Sequence, residues 1–151
     1  MHTTQTAPIR EPYLDLDALL RGKDFFILTT NQDTQFVKLY PEEKVAEIQG
    51  DHRFFQCSYC CTDDTWDSVS QVSELIKAMG SGTSIPKDMI PRCPHCGREA
   101  FPWVRGYGNF LQGKKYNHEY QKISDYILKN QNKKILFIEL GVGRMTPVFI
   151  Q

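Results

Sequence analysis

Residues 24–33, with the sequence DFFILTTNQD, combine a buried strand with a polar loop. The apolar run from Phe25 to Leu28 is bounded by polar residues, a pattern typical of a strand that is buried on both faces. Hydrogen-bonding side chains occupy every position from 29 to 33. Because ligands of parallel α/β sheets bind beyond the carboxyl ends of the strands, this loop is a candidate binding segment for hydroxyl and carboxamide groups.

The segments on either side of this strand alternate between helical and strand patterns. Apolar spacing predicts helices over 11–22, around 66–80 and over 116–130. A second short strand is possible over 43–51, the aromatic and glycine-rich stretch 100–113 is predicted to be a loop, and a buried strand is predicted over 133–147, with the sequence KKILFIELGVGRMTP. This alternation of helix and apolar strand predicts an α/β fold with a parallel sheet.

The cysteines fall in two clusters, QCSYCC at 56–61 and RCPHCG at 92–97. An odd number of cysteines in a chain whose first residues lack an apolar segment favours reduced thiols over a disulfide framework. Two close pairs of thiolates suit a structural, tetrahedral zinc site. Cys93 and Cys96 form one pair, whereas the other pairs Cys57 with either Cys60 or Cys61. His95, between the cysteines of the second cluster, is expected at the surface.

The composition excludes several classes of function. The chain has 151 residues and carries 18 basic and 18 acidic side chains, a balance that disfavours a polybasic nucleic-acid-binding protein. It contains no apolar run long enough to form a transmembrane helix. We therefore expect a cytoplasmic protein that binds neither nucleic acid nor membrane.

The order of five motifs resembles the NAD-dependent sirtuin family. These motifs are TTNQD, EIQGD, the two cysteine pairs, FPWVRGYGN and LGVGRMTP. The resemblance implies a Rossmann-like, sirtuin-type dinucleotide-binding domain with a parallel sheet over 12–151, and an inserted zinc module at about 52–105. Because no glycine-rich turn precedes the first strand and the chain stops at Gln151, we expect this domain to be incomplete at both ends and to hold NAD weakly.

The same resemblance assigns roles to individual residues. Asn31 and Asp33 would line the nicotinamide-ribose end of NAD, with Asp33 holding the carboxamide and Asn31 taking part in catalysis. Gln49 would lie beside the ribose as the second catalytic residue. Residues 106–110 would face the protein substrate. The remaining cofactor-binding residues implied by the resemblance are Thr30, Gly141 and Gly143.

Gln49 stands where the sirtuin family has a histidine base. A glutamine amide cannot accept a proton near neutral pH, although it can orient a hydroxyl group. This departure favours ADP-ribose transfer over the deacetylation for which the family is named. The motifs look most like those of microbial macrodomain-linked sirtuins, which are protein mono-ADP-ribosyltransferases associated with a lipoylated carrier protein and a macrodomain hydrolase. In that subgroup the first zinc pair corresponds to Cys57 and Cys61. In this form of the chain we expect little activity.

Two other functions compete with an NAD-dependent transferase. The first is a non-catalytic zinc module that binds a protein partner through the aromatic segment 101–110, because Trp, Tyr and Arg are frequent in binding hot spots. In that case Trp103 and Tyr107 either contact the partner or pack beneath the zinc site. The second, a nucleic-acid-binding zinc ribbon, is disfavoured by the zero net charge.

Overall fold

The structure, a computed structural model, describes residues 1–106 and 108–141. These residues form a mixed α/β fold with a small parallel sheet and a separate antiparallel sheet. In chain order the elements are α1 (His2–Thr6), α2 (Glu11–Leu20), β1 (Ile27–Thr29), α3 (Gln35–Leu39), β2 (Val45–Glu47), β3 (Gly50–Cys57), β4 (Trp66–Asp67), α4 (Val69–Met79), β5 (Ala100–Val104) and α5 (Lys114–Asn130). None of the described helices is both long and apolar enough to cross a membrane.

The parallel sheet consists of β1 and β2, paired from Ile27 opposite Val45 to Thr29 opposite Glu47. Ile27 and Val45 pack with Tyr40 in a core that partly buried apolar side chains extend. Full burial of such side chains stabilises the fold by about 1.5–3 kcal/mol each. Because the two strands are parallel, the loop after β1 and the turn after β2 leave the sheet at the same edge.

β1 is shorter and less buried than its sequence predicts. The apolar run begins at Phe25, but the strand covers only Ile27–Thr29, and Leu28 is 37% exposed. A strand is buried on both faces only when other elements cover both faces of the sheet, and in the described part of the chain one face at Leu28 is open. The prediction of a doubly covered strand is therefore wrong for these residues.

The antiparallel sheet has the strand order β4-β3-β5 and was not predicted from the sequence. β5 lies within the segment 100–113 that was predicted to be a loop, so that prediction is wrong for Ala100–Val104. Aromatic residues favour strands, and Pro102 is tolerated because β5 is an edge strand. The glycines that suggested a loop all follow the strand.

The helices predicted over 11–22 and 116–130 are present. The helix predicted around 66–80 begins only at Val69, because Trp66 and Asp67 pair with β3 as β4. α2 ends at Leu20, just before Gly22, and α4 ends at Met79, before Gly80 with φ +56°. α4 buries Val72 against Phe55 of β3. α5 covers the predicted range 116–130, and its Tyr126 stacks on a phenylalanine that precedes β1.

The strand predicted over 133–147 is not formed at residues 133–141. Large apolar side chains in this stretch are exposed, with Leu136 at 82% and Phe137 at 77%. A strand requires a hydrogen-bonded neighbour, and none of the described strands pairs with this segment. Residues 142–147 lie outside the described residues.

Candidate metal centre and strand-end site

Cys57, Cys61, Cys93 and Cys96 form one thiol cluster. Their sulfur atoms all lie within 4.8 Å of one another. The Sγ atoms of Cys57 and Cys96 are 3.6 Å apart, as are those of Cys61 and Cys93. Cys57 is the last residue of β3, and the second pair lies in the turn that leads to β5. The antiparallel pairing of β3 with β5 thus brings together cysteines separated by more than 30 residues.

The spacing and chemistry of this cluster fit a tetrahedral metal ion. Four sulfurs about 2.3 Å from a central zinc ion are separated from one another by roughly 3.8 Å. The backbone N–H groups of Tyr59 and His95 donate to the sulfurs of Cys57 and Cys93, each over 3.4 Å. Such hydrogen bonds stabilise thiolates, the form that binds metal. The four cysteines could therefore hold a metal ion.

The pKa values of Cys57 and Cys61 shift in opposite directions. Burial opposes ionisation of Cys57, but backbone hydrogen bonds from Cys61 and Tyr59 outweigh it and lower the pKa of Cys57 to about 6. Hydrogen bonding with Cys96, followed by burial, raises the pKa of Cys61. A bound cation favours the thiolate form of the cysteines that hold it.

Cys60 and His95 lie outside the thiol cluster. Cys60 has a left-handed backbone with φ +49°, and its sulfur lies 3.8 Å from the carbonyl oxygen of Asn109. His95 is exposed. Of the two pairings that the sequence left open, the structure groups Cys57 with Cys61.

The polar loop after β1 meets the turn after β2 and the end of β5. The side-chain amide of Gln32 donates to the carbonyl oxygen of Gln49 over 3.1 Å and to that of Arg105 over 2.9 Å. The backbone N–H of Arg105 donates to the same Gln49 oxygen over 2.8 Å. Three segments that the sequence singled out are thereby joined at the carboxyl edge of the parallel sheet. We call this region, residues 29–33 with Gln49 and Arg105, the strand-end site.

Asn31 and Asp33 are held in this site by several hydrogen bonds. The hydroxyl of Thr29 accepts from the backbone N–H of Asn31 over 3.0 Å. One carboxylate oxygen of Asp33 accepts from the backbone N–H of Gln35 over 3.1 Å. The other accepts from the phenol of Tyr13, at 2.5 Å. Asn31 is exposed and Asp33 half-buried, so both side chains are accessible to a ligand.

The sequence did not predict the contacts of Gln32, or those that Tyr13 of α2 makes with the strand-end site. Leu14 and Leu19 of α2 are exposed. Tyr13 lies on the half-buried side of the helix and packs edge-on against Phe36 at 4.8 Å. The sequence does carry one signal for this orientation, because Tyr13 lies three residues before Leu16 and therefore on the same face of the helix.

Gln49 is half-buried, and the glycine after it is structurally required. Gly50 has φ +89°, and an added Cβ would lie 2.0 Å from the carbonyl oxygen of Trp103. The backbone of β5 therefore packs directly against this turn, which fixes the position of Gln49. Trp103 itself is fully buried, and its indole N–H donates to the carbonyl oxygen of Leu111 over 2.9 Å. The suggestion that Trp103 contacts a partner is therefore wrong.

A network of largely buried charged side chains contacts the strands on either side of the same turn. Arg53 binds Asp51 at 2.6 Å and Glu47 at 3.3 Å. Glu119 of α5 accepts from the backbone N–H of Glu47 over 3.0 Å and pairs with Lys122 at 2.6 Å. Burial, and then the neighbouring Asp51 carboxylate, raise the pKa of Glu47 to about 9. The network connects β2, β3 and α5 around the turn that carries Gln49.

The resemblance also assigned roles to Thr30, Gly141, Gly143 and residues 106–110. Thr30 is half-buried beside Asn31. Gly141 has φ +71°, and an added Cβ would meet no atom of the described residues within 4 Å, so the described part of the chain does not pack it against the strand-end site. Gly143 and Tyr107 lie outside the described residues. Within 108–110, the carbonyl oxygen of Asn109 accepts a hydrogen bond from the side chain of Gln56.

Comparisons with known proteins find two relatives with informative names. The chain is 30% identical over 146 residues to the protein ADP-ribosyltransferase of Staphylococcus aureus, an alignment that covers 95% of this chain and 46% of that protein. The chain is similar to ADP-ribosyltransferases. It is also 30% identical over 131 residues, 83% of its length, to 22% of a probable bifunctional ADP-ribose hydrolase/ADP-ribosyltransferase of Fusarium oxysporum f. sp. cubense. No family model matches the chain.

The chain spans about half of the staphylococcal relative and about a fifth of the fungal one. The alignment with the staphylococcal protein covers nearly all of this chain and so includes both the thiol cluster and the strand-end site.

Proposed function

We propose that the chain provides the nicotinamide-ribose side of a sirtuin-type, NAD-dependent protein mono-ADP-ribosyltransferase. The observation that carries this proposal is the pair of hydrogen bonds from Gln32, which joins the loop of Asn31 and Asp33 to Gln49 and to Arg105. Motifs that lie about 18 residues apart thus meet at the sheet edge where α/β folds bind ligands. Two relatives named ADP-ribosyltransferases support the same activity.

The side chains of the site suit binding and orientation. NAD, when bound, supplies the ADP-ribosyl group, with nicotinamide as the leaving group. Asp33 would accept hydrogen bonds from the carboxamide, while Asn31 and Thr30 would hydrogen bond near the ribose. Gln49 would orient a ribose hydroxyl without removing its proton, because an amide has no basic site near neutral pH. Catalysis would rest on positioning and electrostatic stabilisation.

The thiol cluster would give this domain its structural metal. We propose zinc at Cys57, Cys61, Cys93 and Cys96, because a set of four thiols closes the tetrahedron and leaves no position for a reacting water. The zinc module would span about 52–105 within a nucleotide-binding domain over 12–151. With zinc bound, β3 and β5 would be tied together at the end of their ladder opposite Gln49.

The partners of the site follow from the resemblance and are proposals as well. The acceptor would be a protein, and a lipoylated carrier protein is the first candidate to test. A macrodomain hydrolase would remove the modification. The name of the fungal relative, which joins an ADP-ribose hydrolase to an ADP-ribosyltransferase, supports this pairing.

The proposal is tested by incubating the zinc-loaded protein with NAD and a carrier protein, either lipoylated or not. Released nicotinamide is measured by chromatography and modified protein by mass spectrometry. We expect slow release that Asn31→Ala abolishes, whereas the exposed helical Asn117→Ala leaves it unchanged. Nicotinamide release no faster than without protein would contradict the proposal, and zinc retained in such a protein would favour the non-catalytic module.

A further inference from the structure

The hydroxyl group of Tyr13 has contacts that the fold does not require. The ring packs against Phe36 with centroids 4.8 Å apart, a contact that a phenylalanine would keep. The hydroxyl instead donates to Asp33 Oδ2 at 2.5 Å and accepts from Asn31 Nδ2 at 2.9 Å. It thus connects the two side chains of the strand-end site on which ligand binding would depend.

These bonds orient both partners. The backbone of Asn31 is held by Thr29 and one oxygen of Asp33 by Gln35, which leaves the Asn31 amide and the second Asp33 oxygen to be fixed by Tyr13. Burial, and then the hydrogen bond to Asp33, raise the pKa of Tyr13 to about 12. The phenol therefore remains a donor to the carboxylate at neutral pH.

We propose that Tyr13 is a positioning residue for a carboxamide ligand at this site, an inference that rests on the proposed function. By taking one N–H of Asn31, Tyr13 directs that side-chain amide and leaves its carbonyl oxygen as an acceptor. By occupying one lone pair of Asp33 Oδ2, it fixes the carboxylate plane while further lone pairs stay available. A primary amide such as nicotinamide, with two N–H donors, would meet two acceptors already in place, which lowers the entropic cost of binding.

The test compares Tyr13→Phe with the wild-type chain by nuclear magnetic resonance. The control is Tyr120→Phe on α5, a residue that is 42% exposed and packs on Tyr116. The first measurement needs no ligand. In the wild type and the control, the Asn31 side-chain NH₂ should give two well-separated, slowly exchanging signals. In Tyr13→Phe these signals should move toward those of a free amide.

The second measurement is titration with nicotinamide and, separately, with NAD. Loss of the orienting hydrogen bonds should weaken nicotinamide binding by about tenfold in Tyr13→Phe and leave it unchanged in Tyr120→Phe. The midpoint of thermal unfolding should be similar in both variants, since Tyr13→Phe keeps the ring contact with Phe36.

The outcomes separate this inference from the proposed function. Unchanged Asn31 signals, or equal nicotinamide affinity in Tyr13→Phe and the wild type, would overturn the role of Tyr13 even if NAD binds. If neither probe binds the wild type, the proposed function and its carboxamide ligand both fail, and the Asn31 signals show separately whether Tyr13 orients that side chain.

Discussion

Replacement of Gly50 by alanine tests how the Gln49 turn is built. An added Cβ would lie 2.0 Å from the carbonyl oxygen of Trp103 and 2.8 Å from its carbonyl carbon. Both atoms belong to the backbone, so no side-chain rotation can relieve the contact, and β5 must move away from β3. The positive φ of +89° adds a conformational cost of about 1–3 kcal/mol.

Gly22→Ala is a matched control for the conformational cost. Gly22 has a similar φ of +75°, but an added Cβ would meet nothing within 4 Å among the residues that the structure describes. This variant should lose about 1–3 kcal/mol of unfolding free energy from φ alone. Gly50→Ala should lose that amount and the cost of the backbone clash, for a total of roughly 4 kcal/mol or more.

The assay is urea unfolding of the zinc-loaded protein, followed by circular dichroism and tryptophan fluorescence, because Trp103 is buried at the contact. Gly50→Ala should also weaken the hydrogen bonds from Gln32 and Arg105 to the Gln49 oxygen, which amide hydrogen exchange at Arg105 reports. Equal losses of stability in Gly50→Ala and Gly22→Ala would refute the close packing of β5 against this turn.

Three further predictions concern the metal, the buried network and Gln49. Cys61→Ser should lose the metal measured by elemental analysis and Cys60→Ser should keep it, and the reverse result would select the CxxC pairing. Because the folded state holds a proton on Glu47 up to about pH 9 and the unfolded state releases it near 4.5, stability should fall with rising pH in this window, by at most about 1.4 kcal/mol per unit. Urea titrations should therefore show Glu47→Gln gaining stability relative to the wild type between pH 6 and 8.5, while the exposed Glu43→Gln tracks the wild type. Gln49→Ala should slow ADP-ribosyl transfer by about ten- to a hundredfold, because a ribose hydroxyl is no longer oriented. The rate profile of the wild type should show no inflection near pH 6.5, and efficient lysine deacylation by the wild type would contradict the role assigned to Gln49.

Local patterns in the sequence predicted the features that depend on neighbouring residues. Apolar residues repeat with a period of about 3.6 residues in α4 and α5, which predicts helices with one apolar face. The spacing of the cysteines likewise predicts a metal knuckle. The polar loop 29–33 could likewise be placed after a strand. These predictions needed no knowledge of the tertiary fold.

Features that depend on distant pairing could not be predicted in the same way. β5 forms in an aromatic, glycine-rich segment because β3 offers it hydrogen-bonding partners, whereas the more apolar stretch 135–140 forms no strand among the described residues. The contacts of Tyr13 and Gln32 arise only when α2, β2 and β5 meet at the sheet edge. Strand formation and polar networks therefore could not be predicted from local patterns, because both depend on the partner more than on the segment itself.

The central claim, that NAD binds where β1 and β2 end, is tested most directly by mapping its contacts. A ¹⁵N-labelled, zinc-loaded chain would be titrated with NAD to millimolar concentration and its amide spectra compared. We expect saturable shifts to concentrate at residues 29–33 and at Gln49 and Gly50. Asp33→Asn should reduce these shifts, and α4 should be unaffected. Shifts spread evenly over the surface, or centred on the thiol cluster with residues 29–33 unchanged, would contradict it.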